Sequence, residues 1–151
     1  MLDDLDRHMT AAGDVARAMV PMGMFMAWCG HLQLVSDAFQ QAHETAVLRL
    51  RYRELTPAEF FAATTHGGID PADLNRQGRS FAQAYYPHYL DDFRSVFGAD
   101  IYAVGDSWDR YDEIAPLLTK RFMKFREGGR RSRDFSDRSG AVRKWWQRWR
   151  S

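Results

Sequence analysis

The chain has 151 residues, of which 45% are hydrophobic and 14% aromatic. A chain of this length can bury a core without disulfides, and its composition excludes an intrinsically disordered protein. Residues 1–127 hold 13 Lys and Arg against 18 Asp and Glu, whereas residues 128–151 hold 8 against 2. An acidic body therefore precedes a basic tail, and the two parts can have different partners or contact each other.

The cysteine content and the hydrophobic pattern predict a cytoplasmic protein. Cys29 is the single cysteine, which excludes an internal disulfide, and it lies in an apolar run where we expect a small buried side chain. Residues 1–6 are acidic where a secretory signal would be basic. No apolar stretch reaches the roughly 20 residues that a membrane span needs.

Helix start signals mark the first half of the chain. Residues 1–20 fit helical faces that are interrupted near Gly13. Ser36-Asp37 provides an N-cap hydroxyl and an acidic first turn for a third helix. Thr56-Pro57-Ala58-Glu59 has the pattern of a capping box, and Asp70-Pro71-Ala72-Asp73 repeats it with aspartates, so each predicts a helix.

The second half of the chain carries aromatic residues at helical spacing. One stripe contains Tyr85, Tyr89, Phe93 and Phe97. Pro87 interrupts it and predicts a break or kink before a helix that ends at Gly98. A second stripe covers residues 108–125, with Pro116 predicted to start a new helix, and Gly128-Gly129 is predicted to end the compact body.

Evidence for strands is thin. Residues 101–104 are the only candidate, and four residues are too few for an independent sheet, so an extended connection is expected. The predicted fold class is therefore all-α, a compact multi-helix domain over residues 1–127. An Arg-rich linker over 128–139 and a short basic amphipathic helix over 140–151 follow it.

No known catalytic or metal-binding motif is present in the sequence. The histidines are scattered: they are His8, His31, His43, His66 and His88. His43-Glu44 begins the pattern of zinc proteases, but Val47 stands where the second histidine is required. No serine elbow or phosphate-binding glycine loop appears. We expect neither a metal nor a cofactor.

Two acidic clusters remain as candidates for a site. The first is Asp91-Asp92, whose side chains point in different directions on a helix, so that only one is expected to face a given site. The second consists of Asp106, Asp109, Asp112 and Glu113 around Trp108 and Tyr111. A solvated helix face with favourable dipole interactions would explain the second cluster. The alternatives are an acidic patch that binds a protein, and a site for acid–base catalysis or a cation.

The tail combines an aromatic face with a cationic one. The candidate binding residues in it are Arg143, Trp145, Trp146, Arg148 and Trp149. Such a helix suits the chain's own acidic body, a protein partner, an anionic membrane surface or nucleic acid. So short a helix is marginal alone, so we expect it to be ordered by docking on the body or on a protein partner.

Several motifs resemble those of an uncharacterised family of small bacterial proteins. They are Gly23-Met24-Phe25-Met26-Ala27-Trp28, Leu34-Val35-Ser36, Phe81-Ala82-Gln83-Ala84-Tyr85-Tyr86, Tyr89-Leu90-Asp91-Asp92-Phe93 and Trp108-Asp109-Arg110-Tyr111-Asp112. The resemblance spans residues 20–127 and implies a protein encoded near polymorphic toxins, with an immunity role. The family usually has a histidine shortly before the first motif, where this chain has Val20-Pro21. No catalytic residue is carried over.

Three functions follow as hypotheses. The first is a non-enzymatic binding protein, an immunity protein that neutralises a cognate toxin through the acidic clusters and the tail. The second is a small enzyme that uses Asp91, Asp92, Asp106 or His88 in an aromatic pocket. The third is a nucleic-acid or membrane adaptor that acts through the tail.

Overall fold

The computed structural model describes residues 1–134, and in this range the protein is mainly helical, as predicted. The tail candidates from Arg143 to Trp149 lie outside the described residues. In chain order the elements are β1 (Asp3–Asp4), α1 (Leu5–Ala12), α2 (Val15–His31), α3 (Asp37–Ala42), α4 (Glu44–Arg51), α5 (Pro57–Thr64), β2 (Gly68–Ile69), a 3-10 turn (Pro71–Asp73), α6 (Arg76–Phe97), a second 3-10 turn (Ile101–Ala103) and α7 (Trp108–Asp134). The chain divides into a compact unit over Met1–Ala115 and another that begins at Pro116.

Three of the local helix signals are confirmed. Gly13 ends α1 in the left-handed conformation, with φ at 81°, which a glycine adopts without strain. The Ser36 hydroxyl accepts a hydrogen bond from the Phe39 amide at the start of α3. At α5 the capping box is complete, because Thr56 accepts the amide of Glu59 while the Glu59 carboxylate accepts the amide of Thr56. Short-range side-chain bonds therefore fix these boundaries.

A helix was predicted to start after Asp70, and this start position was wrong. Asp70 caps only the first 3-10 turn, and α6 starts at Arg76 behind a second cap, Asn75. Between the caps, Leu74 is extended and pairs with Val35 in an isolated antiparallel bridge. This tertiary pairing holds the backbone out of the helical conformation.

Neither proline in the second half breaks its helix. α6 runs through Pro87, and α7 runs through Pro116. Of the break or kink predicted at Pro87, the break was wrong, and so was the helix start predicted at Pro116. Pro87 cannot donate to the carbonyl of Gln83, but both residues are exposed, so water can satisfy that carbonyl. α7 also continues through Gly128-Gly129 to Asp134.

The segment after α6 was predicted as an extended connection and instead forms the second 3-10 turn. The Asp100 carboxylate caps it by accepting the Tyr102 amide at 3.1 Å. Ile101 is buried, which fixes the turn to the body, and Tyr102 remains partly exposed. The capped turn thus sets the position of the Tyr102 side chain.

The core is built around α2 and is rich in aromatic rings, as the composition predicted. Every residue from Val20 to Gly30 is buried. Phe25 packs against the rings of Trp28 and of three tyrosines on α6, with centroids 5.1–6.5 Å apart. Cys29 is buried among them, which raises the pKa of its thiol and confirms it as a small apolar core residue.

A small antiparallel sheet holds the beginning of the chain. β1 pairs with β2, with Asp3 opposite Ile69, and the Leu2 amide donates to the Ile69 carbonyl at 2.8 Å. The Leu5 amide donates to the carbonyl of Gly67 at 2.7 Å. The sequence predicted neither strand. The pairing directs Asp3 into the protein, where it is buried.

Candidate functional site

The first unit contains a large cleft of about 880 Å³. Its walls come from the N-terminal segment, α1, the second half of α6 and the second 3-10 turn. The polar and charged side chains that line it are Asp3, Arg7, His8, Tyr86, Arg94, Asp100 and Tyr102. A volume of this size suits a small molecule, and pockets with a few converging polar groups are the usual place for binding and catalysis.

Asp3 and His8 form a buried pair in the wall of the cleft. Each residue is only 3% exposed, and His8 Nε2 lies 2.7 Å from Asp3 Oδ2. The Tyr86 hydroxyl also donates to Asp3 Oδ2, and the Asp4 amide donates to Asp3 Oδ1 at 2.9 Å. The carboxylate therefore accepts three hydrogen bonds in a buried position, which fixes its orientation.

The electrostatics of this pair favour an ionised Asp3. Burial by itself would raise the pKa of Asp3, but the hydrogen bonds from His8 and Tyr86, the charge of His8 and the Asp4 amide together hold it below its usual value. Burial, followed by the charge of Asp3 and the hydrogen bond to it, raises the pKa of Tyr86 well above its usual value. Tyr86 thus stays a neutral donor to a charged acceptor.

Tyr102 connects this pair to the open space of the cleft. Its hydroxyl lies 2.6 Å from His8 Nδ1. Since the ionised Asp3 can only accept a hydrogen bond, His8 carries a proton on Nε2. When the ring is neutral, Nδ1 accepts the proton of the Tyr102 hydroxyl, and when the ring is protonated, Nδ1 donates to the Tyr102 oxygen. The result is a line of three groups, Tyr102 to His8 to Asp3, in the order of a reacting hydroxyl, a base and the group that orients the base.

The surroundings of Tyr102 keep its phenol protonated at neutral pH. Burial raises the pKa of Tyr102, the charges of Asp3 and Asp100 raise it further, and Arg94 opposes them. Tyr102 also borders a second cleft of about 410 Å³, which Arg17 and Asp106 line on the other side. Of the three residues in this line, Tyr102 is the most exposed, since Asp3 and His8 are buried.

The structure does not gather the acidic candidates at one point. The Asp91 carboxylate pairs with Arg94 at 3.3 Å, and the Asp92 carboxylate accepts the hydroxyl of Tyr85 at 2.7 Å. His88 is half-buried on the same helix. None of Asp91, Asp92 and His88 lines the large cleft.

Asp106 has a structural partner. Its carboxylate accepts the Thr56 hydroxyl at 2.5 Å and the Ala58 amide at 3.0 Å, which extends the cap of α5. This contact fixes the loop before α7 to the start of α5.

The remaining candidates lie around Arg53. Asp112 binds the Arg53 guanidinium with both oxygens, at 2.8 and 3.0 Å, and the same guanidinium lies 4.6 Å from the centre of the Trp108 ring. Asp109 is exposed, and no hydrogen bond or close ion pair joins its side chain to another described residue, but its charge acts on Arg53 together with that of Asp112. Binding of a partner by these residues stays a prediction.

The sequence reasoning missed all four residues of the buried network. From the sequence, His8 was one of five scattered histidines. Tyr86 was interpreted as an aromatic residue near the predicted helix break, and Tyr102 as part of an extended connection. The signal that existed was local: Asp3 precedes a helix whose first turn leads to His8, five residues later. The partners Tyr86 and Tyr102 are 83 and 94 residues away from Asp3 and His8 respectively, and no spacing rule covers such distances.

Residues 1–134 contain no group of three or more His, Cys, Asp or Glu side chains placed to hold a metal ion. In the same range, no helix combines the length and apolar character that crossing a membrane requires.

Comparison with known proteins gives a family and no relative of known activity. No curated protein and no solved structure matches the chain. One family model, described as a domain of unknown function (DUF7832), matches residues 1–104, and this range contains Asp3, His8, Tyr86 and Tyr102. The uncharacterised family expected from the sequence motifs is thus confirmed as a family without assigned function. The chain belongs to the DUF7832 family.

Proposed function

We propose that the protein is a small acid–base enzyme whose active site is the large cleft. The observation that carries this proposal is the line from the Tyr102 hydroxyl through His8 to the buried Asp3, with successive distances of 2.6 and 2.7 Å, in the wall of that cleft. It replaces the acidic residues that the sequence offered for an enzyme with a different set of Asp, His and Tyr side chains.

The proposed step moves one proton between the substrate and His8. As the Tyr102 oxygen takes a proton from the substrate, the phenolic proton passes to His8 Nδ1, so that Tyr102 is neutral again and His8 becomes an imidazolium. The adjacent carboxylate of Asp3 stabilises this cation, and burial strengthens their attraction. The reverse transfer protonates the substrate.

The test is proton exchange and turnover on a panel of small molecules in deuterated water, followed by proton and phosphorus NMR. The wild-type protein is expected to incorporate deuterium into, or convert, at least one member of the panel. Tyr102→Phe removes one oxygen at a partly exposed position and should abolish this activity while the helical circular dichroism is unchanged. His66→Gln, at an exposed histidine outside the cleft, should retain it.

Two results would contradict the proposal. One is a wild-type protein that is inert towards the whole panel, and the other is an activity that Tyr102→Phe and His8→Gln leave at the wild-type rate.

A second candidate function is that of an immunity protein, which would bind a toxin in the cytoplasm. The sequence motifs and two surface features support it. Leu48 on α4 and Tyr52, the residue directly after α4, lie one turn apart and are 52% and 72% exposed. Exposed apolar side chains in a group are typical of interaction surfaces. The exposed carboxylate of Asp109 adds an acidic contact for a basic toxin.

The product of the neighbouring gene is the partner to test for this second function. A stable one-to-one complex, weakened by Tyr52→Ser but not by Tyr102→Phe, would support it. Absence of a complex, together with no protection of cells from that product, would exclude it.

A further inference from the structure

We propose that the ligand of the large cleft is a small molecule that carries a carboxylate or a phosphate, bound by Arg7 and Arg94. This inference rests on the proposed function, since it names the substrate class of the same site. It depends on which charged side chains line the cleft and on how many of the donors and acceptors of those side chains already have a partner.

The two arginines reach the cleft from different elements and keep unused donors. Arg7 lies on α1 and Arg94 on α6, and their side chains are 64% and 46% exposed. Arg94 donates to Asp91 from Nη1 at 3.3 Å, and Arg7 has a 3.8 Å contact with Asp4 and a 3.4 Å bond from Nη1 to the carbonyl of Leu2. Each guanidinium has five N–H donors, so most of them remain for a ligand.

The carboxylates that line the cleft are less available than the guanidiniums. Asp3 is buried and already accepts three hydrogen bonds, and Asp100 uses one oxygen to cap the turn at Tyr102. A cationic ligand would therefore meet two guanidiniums and few free acceptors. An anionic group would meet donors in the fork geometry that carboxylates and phosphates match.

The charge of the arginines also extends to the proton-transfer groups. Arg94 acts to lower the pKa of Tyr102, and Arg7 acts to lower that of Tyr86, although burial raises both overall. Arg7, Arg94 and Tyr102 line the same cleft, so a ligand held by the guanidiniums shares that space with Tyr102. The cleft volume of about 880 Å³ leaves room for the rest of a metabolite-sized molecule.

The test is an NMR titration of the full chain with three probes at constant ionic strength: inorganic phosphate, citrate, and glycerol as a neutral molecule. Saturable shifts at the amides of the cleft with phosphate or citrate, and none with glycerol, are expected. A dissociation constant below about 1 mM is expected for the better anion. Binding by phosphate alone identifies a phosphate ligand, and binding by citrate alone identifies a carboxylate ligand.

Charge-neutral variants show whether the two arginines are responsible. Arg7→Gln and Arg94→Gln should each weaken binding about tenfold, because each removes charge-assisted hydrogen bonds. Arg79→Gln is the matched control, since it removes the same charge from an exposed position of α6 outside the cleft. The inference is overturned if neither anion saturates, or if the control weakens binding as much as the other two variants.

The two proposals fail separately. Anion binding that depends on Arg7 and Arg94, without any activity lost in Tyr102→Phe, would remove the acid–base function and leave the binding site. Activity that depends on Tyr102, unaffected by both arginine variants and by competing phosphate or citrate, would remove the anion site and leave the acid–base function.

Discussion

Replacing Asp3 with asparagine keeps the shape of the side chain but removes its charge. The carboxylate accepts from His8 at 2.7 Å, from the Tyr86 hydroxyl and from the Asp4 amide at 2.9 Å. The single oxygen of asparagine can satisfy only part of this set, and its NH₂ group would face another donor in a buried position. A hydrogen bond to a charged group contributes about 1.5–3 kcal/mol, and a buried donor without an acceptor costs ~1–3 kcal/mol. We expect the free energy of unfolding to fall by about 3 kcal/mol.

The assay is urea unfolding of the full chain at neutral pH, followed by far-UV circular dichroism. Asp6→Asn is the control, because Asp6 is an exposed carboxylate in the first turn of α1. Its loss removes only a favourable interaction with the helix dipole, worth about 0.5 kcal/mol. If Asp3→Asn destabilises the protein no more than Asp6→Asn, the buried network does not hold the N-terminal segment as described.

The pH dependence provides a second measure of the same interaction. The pKa of Asp3 is lowered from its ordinary value of 3.8, so the ionised carboxylate contributes its full stabilisation above that pH and loses it as the pH falls through the lower value of the folded state. The stability difference between the wild type and Asp3→Asn should therefore be full at neutral pH and shrink in acid. A difference that is constant down to the acid unfolding transition would contradict the ionised state of Asp3.

Two further substitutions and one labelling experiment test the fold. Gly23→Ala should lower the free energy of unfolding by about 2 kcal/mol, because the new Cβ would lie 2.9 Å from the Cα of Ala58 and force α2 and α5 apart. Gly105→Ala is the control and should be close to neutral, since its Cβ would meet no atom within 4 Å. Equal effects of the two variants in urea unfolding would refute the close approach of α2 and α5. Asp106→Ala should cost about 1 kcal/mol by removing part of the α5 cap, and an unchanged unfolding midpoint would exclude that role. Cys29 should resist thiol reagents in the native state and react at once in denaturant, because burial raises the pKa of its thiol and keeps the reagent away from it. Rapid labelling of the native protein would show that the core opens.

Helix boundaries were predictable where the signal and its partner are neighbours in the chain. The capping box at Thr56 and the cap at Ser36 join groups three residues apart, and Gly13 and Gly98 end their helices through their own backbone freedom. Such interactions do not depend on what the rest of the chain does, so composition and spacing reveal them.

Predictions failed where a distant part of the chain decides. Whether Pro87 interrupts α6 depends on which face of the helix meets water, and the helix expected after Asp70 is prevented by the pairing of Leu74 with Val35. The spacing of Asp91 and Asp106 drew attention to them, yet each carboxylate contacts a residue of the fold itself.

By itself, the sequence determined that this chain is mainly helical, has an aromatic core and buries its cysteine, because periodicity, caps and apolar content are properties of short segments. Only the tertiary structure decided which polar residues meet in the wall of the cleft. The β1–β2 pairing turns Asp3 inward, and helix packing and the second 3-10 turn bring Tyr86 and Tyr102 to Asp3 and His8 from more than eighty residues away. Contacts at such separation arise from the packing of whole elements, which no local pattern encodes.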